Sequence, residues 1–177
     1  MSRMVRESQV SGLRERHWFA QVMLTRLQEC QQQDGKVGEL LALRGAVVFH
    51  LYSALVGLAR HAARGLGVKE AESLLSLGAI SDACARQGVH SPEIQLVDQA
   101  RTRHDDPLCW LEQQMMAATG ASGLSRRPVA PRDENALGVV AEDPYAPLAR
   151  GDIERLQGAL ARVKTLLDEA ATYMEEW

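Results

Sequence analysis

The stretch that decides the fold runs from Leu40 to Ala63, L-L-A-L-R-G-A-V-V-F-H-L-Y-S-A-L-V-G-L-A-R-H-A-A, broken only by Arg44, His50, Ser53, Arg60 and His61. A helix with one apolar stripe lies on a surface, whereas a helix apolar on nearly every side is enclosed by others. The segment therefore predicts the inner helix of an all-α, antiparallel bundle. Its rival is a membrane span, which needs about 18 or more uninterrupted apolar residues, and Arg44 and Arg60 cut this run short. The opening M-S-R-M-V-R-E-S is charged and leads into no apolar core or small-residue cleavage site, so no secretory signal is expected and the setting reads as cytoplasmic.

Working outward, Val10, Leu13, His17, Ala20, Leu24 and Leu27 step by three and four, which makes residues 8–33 one helix with a single buried stripe and turns His17 toward the core. Asp34-Gly35 breaks it, and the apolar helix follows over 36–66. So short a connection predicts an antiparallel pair. Residues 69–77 and 79–87 read as two short helices around Gly78, or one bent helix. Ser91-Pro92-Glu93 has an N-cap, a proline at the first helical position and an acidic first turn. Asp105-Asp106-Pro107 repeats that pattern, so 91–119 reads as a kinked helix or two helices in line.

Residues 120–151 carry R-R-P-V-A-P-R, further prolines and glycines, and no sustained period, which reads as a long Pro/Gly-rich loop. The last helix starts near Asp152 and carries Ile153, Leu156, Leu160, Val163, Leu167, Ala170, Met174 and Trp177 in 3-4 spacing, a seam of coiled-coil grade. The whole, 1–177, reads as one bundle domain of about five to six helices, a size that suits a single core.

Composition narrows the function. A net charge of −3 argues against a phosphate-tracking nucleic-acid surface, and Arg3, Arg6, Arg14, Arg16 and Arg26 are offset by Glu7, Glu15 and Glu29, as on a solvated helix face. Cys30, Cys84 and Cys109 are odd in number and widely spaced, and read as buried, reduced thiols. A di-metal bundle needs Glu-x-x-His pairs, and none occurs. The histidines His17, His50, His61, His90 and His104 include no pair one turn apart. His50 and His61 share a helix side but stand about 16 Å apart along it. Only His17 with His50, across the first two helices, remains as a metal arrangement, against a hydrogen-bonded core pair. No metal, cofactor or catalytic residue is assigned.

Arg44-G-A-V-V-F-His50 resembles the HEPN family of helical ribonucleases, in which an arginine is followed within a few residues by a histidine. The resemblance implies a ribonuclease or nucleic-acid-associated factor using Arg44 and His50, with Arg60 and Arg64 nearby. The residues themselves point elsewhere. The five between the pair are small or apolar, and on one helix the two side chains diverge by about 120°. Arg44 shares a stripe with Leu40, Leu51, Leu55 and Leu58, so it is expected to find a carboxylate or to snorkel to the helix end. Ser53, Ser73, Ser76 and Ser81 lack elbow glycines, and no cysteine sits beside a histidine.

The blocks F-H-L-Y-S-A-L-V-G-L-A (49–59), S-P-E-I (91–94), C-W-L-E-Q (109–113) and the ending Y-M-E-E-W together resemble a family of small all-helical bacterial proteins known only as a domain of unknown function. That resemblance implies one helical domain in the cytoplasm and attaches no activity or site residue. The expected function is therefore non-enzymatic: a bundle that binds another protein or a copy of itself, most simply as a homodimer through spare seam on its last helix, with no membrane or nucleic-acid partner.

If 40–63 is the inner helix, Leu51→Ala lowers the unfolding free energy by about 2 to 5 kcal/mol, as for other large-to-small core changes. Urea unfolding measures it, and a loss below about 1 kcal/mol would place this helix at the surface.

Overall fold

In a computed structural model, residues 3–120 and 148–175 are described, with side chains over 12–120 and 148–173. The loop expected over 120–151 falls outside the described residues from 121 to 147, as do the side chains of Val10, Met174 and Trp177. The described residues form an all-α bundle of six helices: α1 (Arg3–Gln32), α2 (Val37–Gly65), α3 (Leu77–Arg86), α4 (Pro92–Thr102), α5 (Pro107–Ala118) and α6 (Asp152–Glu175), with a 3-10 turn at Ala71–Ser73.

The inner position of α2 follows from its all-round apolar surface, for α1, α3, α4, α5 and α6 all pack on it. Val47, Leu51, Leu55 and Leu58 have no exposed surface, and Leu13, Leu24 and Leu27 of α1 are buried against the same core. By length and composition α2 is apolar enough to cross a membrane. Here it is the centre of a bundle compatible with a soluble protein. α1 and α2 run antiparallel, with contacts pairing Arg16 to Ser53, Phe19 to His50 and Cys30 to Glu39.

Local chemistry explains the ends. α1 stops because Asp34 takes a left-handed conformation (φ 51°), letting Gly35 N–H donate to the Cys30 carbonyl at 2.8 Å and Asp34 N–H to Gln31. Gly67 (φ 80°) closes α2 in the same way. Ser91 and Asp106 accept the backbone N–H groups of Ile94 and Leu108, and Pro92 and Pro107 open the helices after them.

Two sequence expectations change. The segment 69–77 is not a helix: Glu70 is left-handed (φ 59°), only a 3-10 turn forms, and Ser76 caps α3 by accepting from Ala79 N–H, so α3 runs straight through Gly78. α4 and α5 are not in line. The backbone is extended at Arg103, and the two helices fold back on each other with Arg101 bridging to Glu112. Along α6, Leu156, Val163, Leu167 and Ala170 of the expected seam are buried among α1, α2, α4 and α5, together with Ala159 and Leu166, while Ile153 and Leu160 are partly buried.

The α1–α2 turn leaves no room at Gly35, where a Cβ would stand 2.1 Å from Cys30 Sγ and 2.7 Å from its carbonyl oxygen. Nothing lies within 4 Å of the same addition at Gly38. Gly35→Ala should therefore destabilise by about 1–3 kcal/mol or more, while Gly38→Ala should be neutral or stabilising by up to about 1 kcal/mol. Paired thermal unfolding curves distinguish the two sites.

Candidate functional site

Arg44 finds its carboxylate. Its position on the inner side of α2 leaves it 7% exposed, and Asp152, the first residue of α6, is 2% exposed. Nε donates to Asp152 Oδ2 at 2.9 Å, while one terminal nitrogen donates to Asp152 Oδ1 at 3.4 Å and to Gln114 Oε1 at 2.7 Å. Asp152 Oδ2 also accepts Ala149 N–H at 2.9 Å. The guanidinium carbon lies 6.0 Å from the centre of the Trp110 ring. Desolvating two charges is expensive, and only a network that satisfies both ions repays it. Among the described residues no buried side-chain nitrogen or oxygen is left without a partner.

His50, six residues along, faces a different neighbour. Its ring stands 5.5 Å from that of Phe19 on α1 and 5.6 Å from Phe49, and Trp18 lies 5.4 Å from Phe19. Trp18 is 57% and Phe49 53% exposed, so this chain of rings is a surface feature. Burial, and then the charge of Arg16, hold the His50 imidazole below its ordinary proton affinity. The fold thus separates Arg44 from His50: one is sealed between α2, α5 and α6, the other borders α1.

The remaining candidates are dispersed too. His17 Nε2 lies 3.0 Å from the Leu160 carbonyl of α6, which makes Nε2 the protonated nitrogen and ties α1 to α6, not to His50. Arg60 donates to the Leu74 carbonyl at 2.6 Å and Arg64 pairs with Glu72 at 3.3 Å, so both fasten the segment after α2. His61 is partly buried; His90 and His104 are exposed. Among the described residues no three His, Cys, Asp or Glu side chains form a metal-ligand group. Cys30 and Cys84 are buried thiols, pushed up by burial first and then by Glu39 and Asp98 respectively. Cys109 departs from expectation in being only partly buried.

A second polar network joins α2 to α5. The Tyr52 hydroxyl accepts from Leu77 N–H at 3.1 Å and donates to Glu112 at 3.4 Å. Arg101 bridges Glu112 and Asp98, and Ser81 donates to Asp98. Burial pushes the Tyr52 phenol up. Its groups are consumed by one another, which suits a brace between helices. An open cleft of about 630 Å³ lies between Gln28, Gln31 and Gln32 of α1 and the start of α6, where Arg150, Glu154 and the already paired Asp152 add charge to its wall.

The aromatic face was missed from the sequence, although Trp18 carried a signal: it sits one residue off the buried stripe of α1, where a large ring has no core to enter. Comparison with known proteins finds no matching family model, no matching curated protein and no matching solved structure. Its function must be argued from its own chemistry.

The buried pair generates a test. Arg44→Met and Asp152→Leu, each leaving an unpaired charge, should cost about 3–5 kcal/mol. Arg44→Met/Asp152→Leu together should cost clearly less than their sum, because neither ion is then orphaned. A double-mutant cycle by urea unfolding reads the coupling, and additive losses would mean the pair is not formed.

Proposed function

We propose that this chain is a non-enzymatic interaction module that pairs with a second copy of itself through the aromatic face of α1 and α2, in a cytoplasmic setting that suits its free thiols. The observation that carries the reading is the ring cluster. A chain with two Phe and three Trp residues gathers both Phe and one Trp on one surface, with Trp18 and Phe49 more than half exposed. Large aromatics dominate the energetics of protein interfaces, and a solvated cluster of them is costly to leave bare.

The charges beside the cluster favour a copy as the occupant. The turn end of the hairpin carries Asp34 and Glu39 beside Lys36, and Arg60 and Arg64 lie toward the opposite end of α2, while Arg16 stands beside the rings themselves. Along α2, Glu39 stands ten residues before Phe49 and Arg60 eleven after it, so acid and base flank the rings at nearly equal distances of about 15 Å. A two-fold axis through the rings would set each end of one hairpin against the opposite charge of the other. Most of the described stripe of α6, including Leu156, Val163 and Leu167, is buried in its own core.

Sedimentation equilibrium over a wide concentration range is the test. The expected result is a monomer–dimer equilibrium whose dissociation constant rises about tenfold or more in Trp18→Ala and in Phe49→Ala, in line with interface aromatics worth about 2 kcal/mol. A strict monomer, or a dimer indifferent to both changes, overturns the reading. So does RNA cleavage abolished in both Arg44→Ala and His50→Ala variants that keep their helical circular dichroism.

A further inference from the structure

Among the four rings of the aromatic face, one, the His50 imidazole, can take up a proton. We infer that His50 makes the pairing of two copies pH-dependent, holding the dimer together while its imidazole is neutral and releasing it when the ring is protonated. This rests on the proposal that the aromatic face is the dimer contact.

The geometry carries it. The His50 ring sits between Phe19 and Phe49 at 5.5 and 5.6 Å, so whatever covers the exposed faces of Trp18 and Phe49 also covers His50 and strips water from it. The charged groups around it offer no counter-ion. From α1, Arg16 approaches, with its terminal nitrogen 3.1 Å from the Ser53 carbonyl one turn along from His50, and it acts on the imidazole as a like charge. Glu15, also on α1, is exposed one turn before Phe19. On α2 itself, residues 46–54 contain no charged side chain, and the Tyr52 phenol is turned to Leu77 and Glu112. The Ser53 hydroxyl donates to the His50 carbonyl and not to its ring.

A two-fold axis at this face doubles the effect, because each copy brings its own His50 and Arg16 to the contact. Protonation then adds two positive charges to a surface already holding two guanidinium groups, in surroundings drier than the free chain offers. In the single chain, burial and Arg16 already favour the neutral ring, and covering the face acts in the same direction. The sign follows. Since the paired state holds fewer protons than the free one, pairing is tightest above the ordinary histidine range and weakens as pH falls through the value of His50 in the free chain. Reciprocally, pairing lowers the proton affinity of His50.

Sedimentation equilibrium between pH 5.5 and 8.0, a range in which ordinary carboxylates stay ionised, tests this on the full chain with His50→Gln and His17→Gln beside it. Wild type and His17→Gln should show dissociation constants a few-fold or more higher at the acid end. His50→Gln should associate nearly equally at both ends. Helical circular dichroism at each pH confirms that the fold is retained. Association through Trp18 and Phe49 that is the same at every pH overturns the proton gate and leaves the aromatic contact standing. A pH dependence that survives in His50→Gln, or disappears in His17→Gln, assigns the proton elsewhere and overturns it equally. A chain monomeric throughout overturns both this inference and the reading it rests on.

Discussion

An arginine buried inside a helix apolar on nearly every side is the constraint around which this bundle is arranged. Arg44 cannot be left uncompensated in that interior, and α2 has no acid near enough to serve it. The compensation arrives from Asp152, 108 residues away in the chain, together with the Gln114 amide of α5 and the Trp110 ring. One ion pair thereby fixes where α6 begins, which side of α2 it crosses and how α5 lies beside it. The apolar contacts of Leu156, Val163 and Leu166 then strengthen a placement that Arg44 has already restricted. Hydrophobic burial is non-directional; the guanidinium adds the register.

Much of this was legible in the residues. The all-round apolar character of 40–63 identified the inner helix, 3-4 spacing identified α1 and α6, and the serine or aspartate before each proline marked the starts of α4 and α5. A carboxylate partner for Arg44 was legible as a need. Its identity was not, because pairing between residues so far apart leaves no periodic trace. The helix misread over 69–77 shows a local limit, since composition there suits a helix but the left-handed Glu70 and the Ser76 cap prevent one.

The aromatic face was hidden for the opposite reason. In a helix apolar on nearly every side, periodicity cannot tell which side stays outside, so Phe49 was indistinguishable from Leu51 or Leu55 until the neighbours were in place. The same ambiguity makes the Arg44–His50 spacing deceptive. A short separation in sequence suggests proximity, yet helical rotation sends one side chain into the core and the other toward α1. Interior and surface chemistry are thus interleaved residue by residue on α2.

That interleaving gives the molecule built-in optical reporters. Trp18 lies in the solvent-facing ring cluster and Trp110 against the buried guanidinium, so the two indoles sit in environments of different polarity. The emission of one senses whatever covers the α1–α2 face, and the emission of the other senses whether α6 remains seated on α5. Replacing Trp177 and one of these two by phenylalanine would isolate the contribution of the other, allowing surface and interior events to be followed in the same cuvette without an attached dye.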